Sequence, residues 1–237
     1  MLKAIPEAST EYSPVKMDAT AVRVINAAAG CVDKLGFNKA AIDDIVAASG
    51  VSRATLYRRF GSREGIFTAL LMQQAAPIVA ACKVAIDRET GLTERIEAGL
   101  ILAVSKMLAN HWIKVLFEQG VNSTNLGLIR PVFIELVSGV LQQTLQQARA
   151  SGEFNSKIEF ADIMEWLLRD FILVIGNGPW DKAQLQAHVR NFIIPVLKGV
   201  PSRRAEEERL ARMNRRLDDM QQTLEALKHH LLPEDSQ

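Results

Sequence analysis

An all-α fold is what this sequence predicts, and three observations predict it. Apolar residues recur at spacings of three and four from Asp18 almost to the end of the chain. No stretch shows the period-two alternation of a half-buried strand. Gly, Pro or Asn stands between most of the periodic segments, where helices should stop. With 237 residues, 48% of them apolar, the chain has material for one large domain or two small ones. Its 28 basic and 27 acidic residues nearly cancel, so any charge meant for nucleic acid has to be concentrated locally.

Residues 1–16, with Pro6, Pro14 and scattered Ser, Thr and Glu, read as a flexible N-terminal arm. Whether that arm touches a groove or simply trails stays open. A first helix follows from Asp18 to Leu35, with Ala21, Val24, Ile25, Ala28 and Val32 on one face, and Gly36 is expected to end it. Ile42, Ile45 and Val46 mark a second helix closed by Gly50, whose freedom to adopt a left-handed backbone lets the next helix cross it. Ala47 is small enough to allow close approach at that crossing. Ser52 is placed to cap a third short helix, and Ser62 a fourth that passes Ile66, Phe67, Leu70 and Leu71 toward Pro77 and Asp87. Two short helices joined by a glycine turn, then a longer one, are the layout of a helix-turn-helix. Val51, Leu56 and Phe60 can face inward, which turns Arg53, Ala54, Thr55, Tyr57 and Arg58 outward.

Those outward residue types suit a major groove. Arg53 can donate two hydrogen bonds to a guanine edge, and Ala54 can lie against a thymine methyl. Thr55 and Tyr57 can donate to phosphate oxygens, and Arg63 can neutralise one at the start of the fourth helix. Arg53, Arg58, Arg59 and Arg63 fall between Asp44 and Glu64 with no acid among them, the local charge that the whole chain lacks. A surface arginine cluster on a packing helix is the competing reading. The coincidence of turn, cap and short helices favours double-stranded DNA.

The segment GFNKAAIDDIVAASGVSRATLYRRFGSREGIFTALL closely resembles the N-terminal domain of the TetR family of bacterial transcriptional regulators. Gly36-Phe37, Ile45, Gly50-Val51-Ser52, Thr55-Leu56-Tyr57, Phe60 and Ser62-Arg63-Glu64 carry the resemblance, which spans about residues 18–75. It implies a homodimer on a palindromic operator, a divergent helical domain holding a small-molecule effector, and repression released by that effector. Carried over by motif, the DNA contacts fall on Ser52, Arg53, Ala54, Thr55, Tyr57, Arg58, Arg59 and Arg63. The family often has Thr at the start of the second helix, where this chain has Ala40 and Ala41. Lys39 or Asn38 is the expected substitute for that phosphate contact.

Beyond the head, helices are expected over Thr93–Ala109, Trp112–Glu118, Ile129–Ser151, Ile158–Ile175 and Lys182–Leu197. The resulting division is 1–16 arm, 17–75 helix-turn-helix domain, 76–200 ligand-binding and dimerisation domain, and 201–237 heptad helix and tail. Met107, Trp112, Phe117, Phe133 and Trp166 are candidate ligand contacts that read more readily as core, and His111 is one that reads more readily as a helix cap or surface residue. Arg169 and Asp170 interrupt WLLRDFILVI, and Arg169 can pair with Glu165 four residues earlier or meet an anionic ligand. Phe192, Ile193 and Val196 form an apolar stripe that can serve a dimer interface or pack within the monomer. In the tail Leu210, Met213, Leu217, Met220, Leu224, Leu227 and Leu231 make a heptad seam, on which Leu217 and Leu224 are further interface candidates. That seam can pair between subunits or fold back within one.

Function classes narrow accordingly. No Gly-rich phosphate loop, nucleophile elbow or His-containing metal spacing is present, so neither an enzyme, a cofactor nor a metal is expected. His188, His229 and His230 are expected on the surface. Cys31 and Cys82 read as buried free thiols, which fits a reducing cytoplasm. No apolar run approaches ~18 residues, so no membrane span is expected. The alternative to a ligand-responsive repressor is a helical or coiled-coil assembly protein whose helix-turn-helix only packs.

Overall fold

The computed structural model describes residues 15–118, 123–154, 157–199, 211, 213, 215–216 and 218–223. Among these, helices account for the regular structure and no strand occurs. The head comprises α1 (Ala19–Lys39), α2 (Ile42–Ser49), α3 (Arg53–Phe60) and the start of α4 (Arg63–Asp87). The body adds α5 (Leu92–Ala109), α6 (His111–Glu118), α7 (Ser123–Ala150), α8 (Phe160–Gly176), α9 (Lys182–His188) and α10 (Ile194–Lys198), with a π-helical turn, Val189–Ile193, between the last two.

Local chemistry sets the head's corners. Asp18 starts α1 by accepting from the N–H groups of Thr20 and Ala21 at 3.0 and 2.9 Å. Gly36 does not end α1. It takes a φ of 77° inside it, a kink after which the helix resumes to Lys39. The kink lets Phe37 reach the core, where its ring meets Phe67 edge-on at 5.4 Å. Gly50 adopts the left-handed conformation (φ 63°, ψ 17°) that the crossing requires. Ser52 and Ser62 cap α3 and α4 by accepting from Thr55 and Gly65 N–H at 3.3 and 3.0 Å. Ala47 is exposed, so the small residue buried at the crossing is Ser49, whose hydroxyl oxygen accepts from Val51 N–H at 3.2 Å.

Val24, Ile25, Ala28, Ile45, Leu56, Ile66, Phe67 and Leu70 close the head core, with Val51 and Phe60 at its edge. This apolar cluster continues without a break into the body, through Ile78 and Cys82 to Leu168 and Ile175. The expected division between residues 75 and 76 falls inside α4, which packs on α1 and α3 at its start and on α5 and α7 further along. Pro77 lies within α4 and Pro131 within α7, and both helices run through them. Packing on neighbouring helices outweighs the hydrogen bond each proline removes. A second cluster, including Leu92, Leu145, Phe154, Ile163, Val189 and Leu197, ties α5, α7, α8 and the last helices together.

Among the described residues α4 is the one single helix long and apolar enough to cross a membrane by length and composition. Here it is the central packing helix. Of the tail, the described residues between 211 and 223 are helical, with Met213 and Met220 exposed. Leu210, Leu217, Leu224, Leu227, Leu231, His229 and His230 lie outside the described residues, as do most of the N-terminal arm and most of the 201–237 segment.

Candidate DNA-reading face and internal cavity

Helix α3 buries Leu56 completely and turns Arg53, Ala54, Tyr57 and Arg58 to solvent, with Tyr57 44% exposed. Ser52 is exposed and Thr55 half-buried, and the Ser52 hydroxyl donates to Thr55 Oγ1 at 3.0 Å while capping the helix. Lys39 is exposed at the end of α1. The Ala40-Ala41 corner lacks a side-chain cap. Asp44 supplies half of one by accepting from Ala41 N–H at 2.8 Å.

The arginines are not equivalent. Arg53 donates through Nη2 to Asp43 of α2, a contact that raises the guanidinium's affinity for its proton. Arg59 pairs with Asp18 at 2.7 Å. The Ala21 N–H, followed by Arg59, holds the Asp18 carboxyl below its ordinary range. Arg63 turns inward. Its Nε donates to Ala40 O at 2.6 Å, a second nitrogen donates to Phe37 O, and Glu64 takes a third at 3.0 Å. The Arg63 guanidinium also lies 4.6 Å from the Phe67 ring centre. Among the described residues, Arg58 alone of the four has no hydrogen-bond or ion-pair partner. Sequence pattern grouped these four as one basic cluster, and only their tertiary partners separate them.

Behind the head, α4, α5, α6, α7 and α8 line a part-open apolar cavity of about 180 Å³. Leu71, Val79 and Ile86 line it from α4, Leu100 and Met107 from α5, Phe117 from α6, Phe133 and Leu136 from α7. An apolar cavity of roughly 150 Å³ is enough to hold benzene. Of the ligand contacts expected from sequence, Met107, Phe117 and Phe133 are in this wall. His111, Trp112, Trp166 and Arg169 are not. His111 is exposed, with Nε2 2.7 Å from Asp33 of α1. Trp112 and Trp166 are half-buried in packing, and Arg169 is exposed with Nη2 3.8 Å from Glu165. Glu165 makes its closer contact with Arg130 of α7, at 2.6 Å from Nε.

Sequence reasoning did not place three polar residues in this wall. Asp170, Thr144 and Cys82 stand in the wall, although the surface the cavity presents is almost wholly carbon. Burial pushes the Cys82 thiol up to about 11. The expectation that His188 lies at the surface is overturned. Its side chain is 11% exposed, and Nε2 sits 2.9 and 3.0 Å from the two Asp170 oxygens. The signal available in sequence was an acid interrupting WLLRDFILVI, but its imidazole partner is 18 residues away. Beyond the cavity, Glu97 is buried and accepts from Arg190 and from Gln186 Nε2, the latter at 3.2 Å. Of the interface candidates, Phe192 is 61% exposed, Val196 half-buried, and Ile193 buried in the cavity wall.

A glycine-turned helix pair with an outward recognition helix, mounted on a hollow helical body, defines the class: a helix-turn-helix regulator. Residues 24–70, which make up the head, match the model of bacterial regulatory proteins of the tetR family. Solved structures share the fold over most of its length. RolR in complex with resorcinol is 17% identical over 79% of this chain and 91% of its own, with a TM-score of 0.59. A putative tetR family regulator from Shewanella sp. PV-4 is 14% identical over 76% and 98%, with a TM-score of 0.56. The fatty acid degradation regulator FadR from Bacillus halodurans is 18% identical over 79% and 100%, with a TM-score of 0.54. No curated protein matches the chain.

Proposed function

We propose that this chain is a cytoplasmic transcriptional repressor that binds a palindromic operator as a homodimer and leaves it when a small apolar molecule enters the body. One observation carries the reading: α4 belongs to both working parts. Its first turn closes the head through Ser62 and Arg63, and its later turns supply Leu71, Ala75, Val79, Cys82 and Ile86 to the cavity wall. A body lodged against those side chains bears on the helix that seats α3. The cavity's hydrocarbon wall supports an apolar effector, and its size supports one about as large as a single ring. RolR, which shares this fold, holds resorcinol, a molecule of that size.

On this reading α3 enters the major groove. Arg53 and Ala54 read base edges, while Ser52, Thr55, Tyr57, Arg58 and Lys39 meet the backbone. Arg59 and Arg63 stand behind that face and add positive potential. Phe192, with Leu173 of α8 (58% exposed), offers an apolar surface for the second subunit. The heptad tail extends that contact through Leu217 and Leu224.

The test is binding of labelled DNA fragments from beside the gene at rising salt. A regulator retains one fragment specifically and shows a steep salt slope. Equal retention of every fragment, or none, defeats the proposal.

A further inference from the structure

We infer that Asp43 turns Arg53 from a general DNA contact into a selective one, by holding its guanidinium toward a base edge and away from the phosphates. The inference rests on α3 being the reading helix, as proposed above.

Arg53 opens α3, and Asp43 lies in the first turn of α2, ten residues earlier. Arg53 Nη2 donates to Asp43 Oδ1, so this pair joins the two helices of the motif. Both side chains stand in solvent, 51% and 72% exposed, on the surface that α3 turns outward. The other two paired arginines of the head sit deeper, Arg59 at 27% and Arg63 at 21%. Arg53 is therefore restrained by an acid in the place where a groove would lie.

Neither capping nor stability calls for this contact. Asp44, in the same turn, already serves the start of α2 by accepting from Ala41 N–H at 2.8 Å. An ion pair this exposed contributes little to folding. Its effect falls on the arginine. An unrestrained arginine side chain samples many rotamers, and binding has to order it. The pair does that ordering in advance. It engages one nitrogen of the guanidinium fork, and the remaining N–H groups suffice for the O6 and N7 of a guanine. An untethered Arg53 can instead swing to a phosphate, a contact that every sequence offers. A carboxylate tether, itself repelled by phosphate, opposes that swing and so penalises the wrong sequences.

The experiment starts from a pool of random DNA duplexes, out of which the full wild-type chain selects a preferred one. Affinity is then measured for that duplex, for each of its single base-pair substitutions and for an unrelated duplex. Arg53→Ala identifies the base pair that Arg53 reads, as the one where discrimination disappears. At that pair Asp43→Ala should lower discrimination by about tenfold and leave the other pairs as they were. It should also hold the unrelated duplex about threefold tighter and steepen its salt slope by about one, with the melting temperature unchanged. Asp43→Asn keeps an acceptor for Arg53 without the charge, and its discrimination should fall between the two. Undiminished discrimination at that pair in Asp43→Ala overturns the role of Asp43, even if all DNA is bound more tightly. An equal loss at every base pair, the mark of a merely structural residue, overturns it as well. A wild type that selects no sequence, or an Arg53→Ala variant that keeps every preference, overturns the docking of α3 itself, and this inference with it.

Discussion

The head and the body are built from the same kind of helix and solve opposite problems. In the head, Ile25, Ile45, Leu56, Phe67 and Leu70 fill the space between α1 and α4 and leave a rigid platform for α3. In the body, equally apolar side chains such as Leu100, Phe133 and Leu136 surround emptiness. Close packing is the default in protein interiors, and an unfilled volume forfeits dispersion contacts. On the proposed reading, a void retained at that cost is what the effector completes. The difference teaches that hydrophobicity alone says nothing about use. What matters is whether the opposing residues meet.

The comparison can be broken in graded ways. Leu56→Ala should be the most damaging change, costing about 2–5 kcal/mol in urea unfolding because the head has no slack to absorb the hole. A loss as small as that of a surface mutant would show the head to be loosely packed. Tyr57→Ala comes next. Operator affinity should fall by roughly a hundredfold with the melting temperature unchanged, as expected for a lost bond to phosphate. Unaltered binding in a mobility-shift assay would mean that α3 is docked wrongly. Arg58→Ala removes the arginine that, among the described residues, has no hydrogen-bond or ion-pair partner. It should weaken binding about tenfold for every DNA sequence and reduce the salt slope by about one.

Filling the hollow should have a smaller effect and the opposite sign. Ala103→Leu adds hydrocarbon to the cavity wall and should raise stability by about 1 kcal/mol while abolishing ligand-induced thermal shifts. Destabilisation there would show that the cavity cannot accept another side chain in its present form. The smallest effect belongs to Asp18. Its folded carboxyl sits below its ordinary pKa, so its contribution is present above about pH 4 and is lost as pH falls through the lowered value. Asp18→Asn should therefore flatten the stability profile in that acid range only, as read by thermal melts at stepped pH.

Sequence foretold the two regions unequally, for physical reasons. The head's corners are made by short-range chemistry: Gly50 needs its left-handed backbone, and Ser52 and Ser62 reach groups three residues away. Such features are written locally and could be read locally. Gly36 misled because its usual effect, ending a helix, is overridden by a distant demand, the seating of Phe37 against Phe67. Pro77 and Pro131 are tolerated for similar reasons. In the body the helices were legible to within a few residues, apart from the start of α7, but the cavity was not. Met107, Phe117 and Phe133 read more readily as core than as ligand contacts, and only the facing helices decide. His188 was assigned to the surface because its partner Asp170 is on another helix. The arginines likewise read as one basic patch until Asp43, Asp18 and the carbonyls of Phe37 and Ala40 set them apart.

Arg63 shows where that last distinction has practical weight. It braces the corner between α1 and α2 by donating to the carbonyls of both Phe37 and Ala40. A genetic screen for operator-blind mutants would collect substitutions at this position alongside true contact residues, and for an unrelated reason: the corner sags and the protein is cleared by proteolysis. Western blots of such isolates, run beside the reporter assay, sort scaffold from contact before any operator code is drawn up.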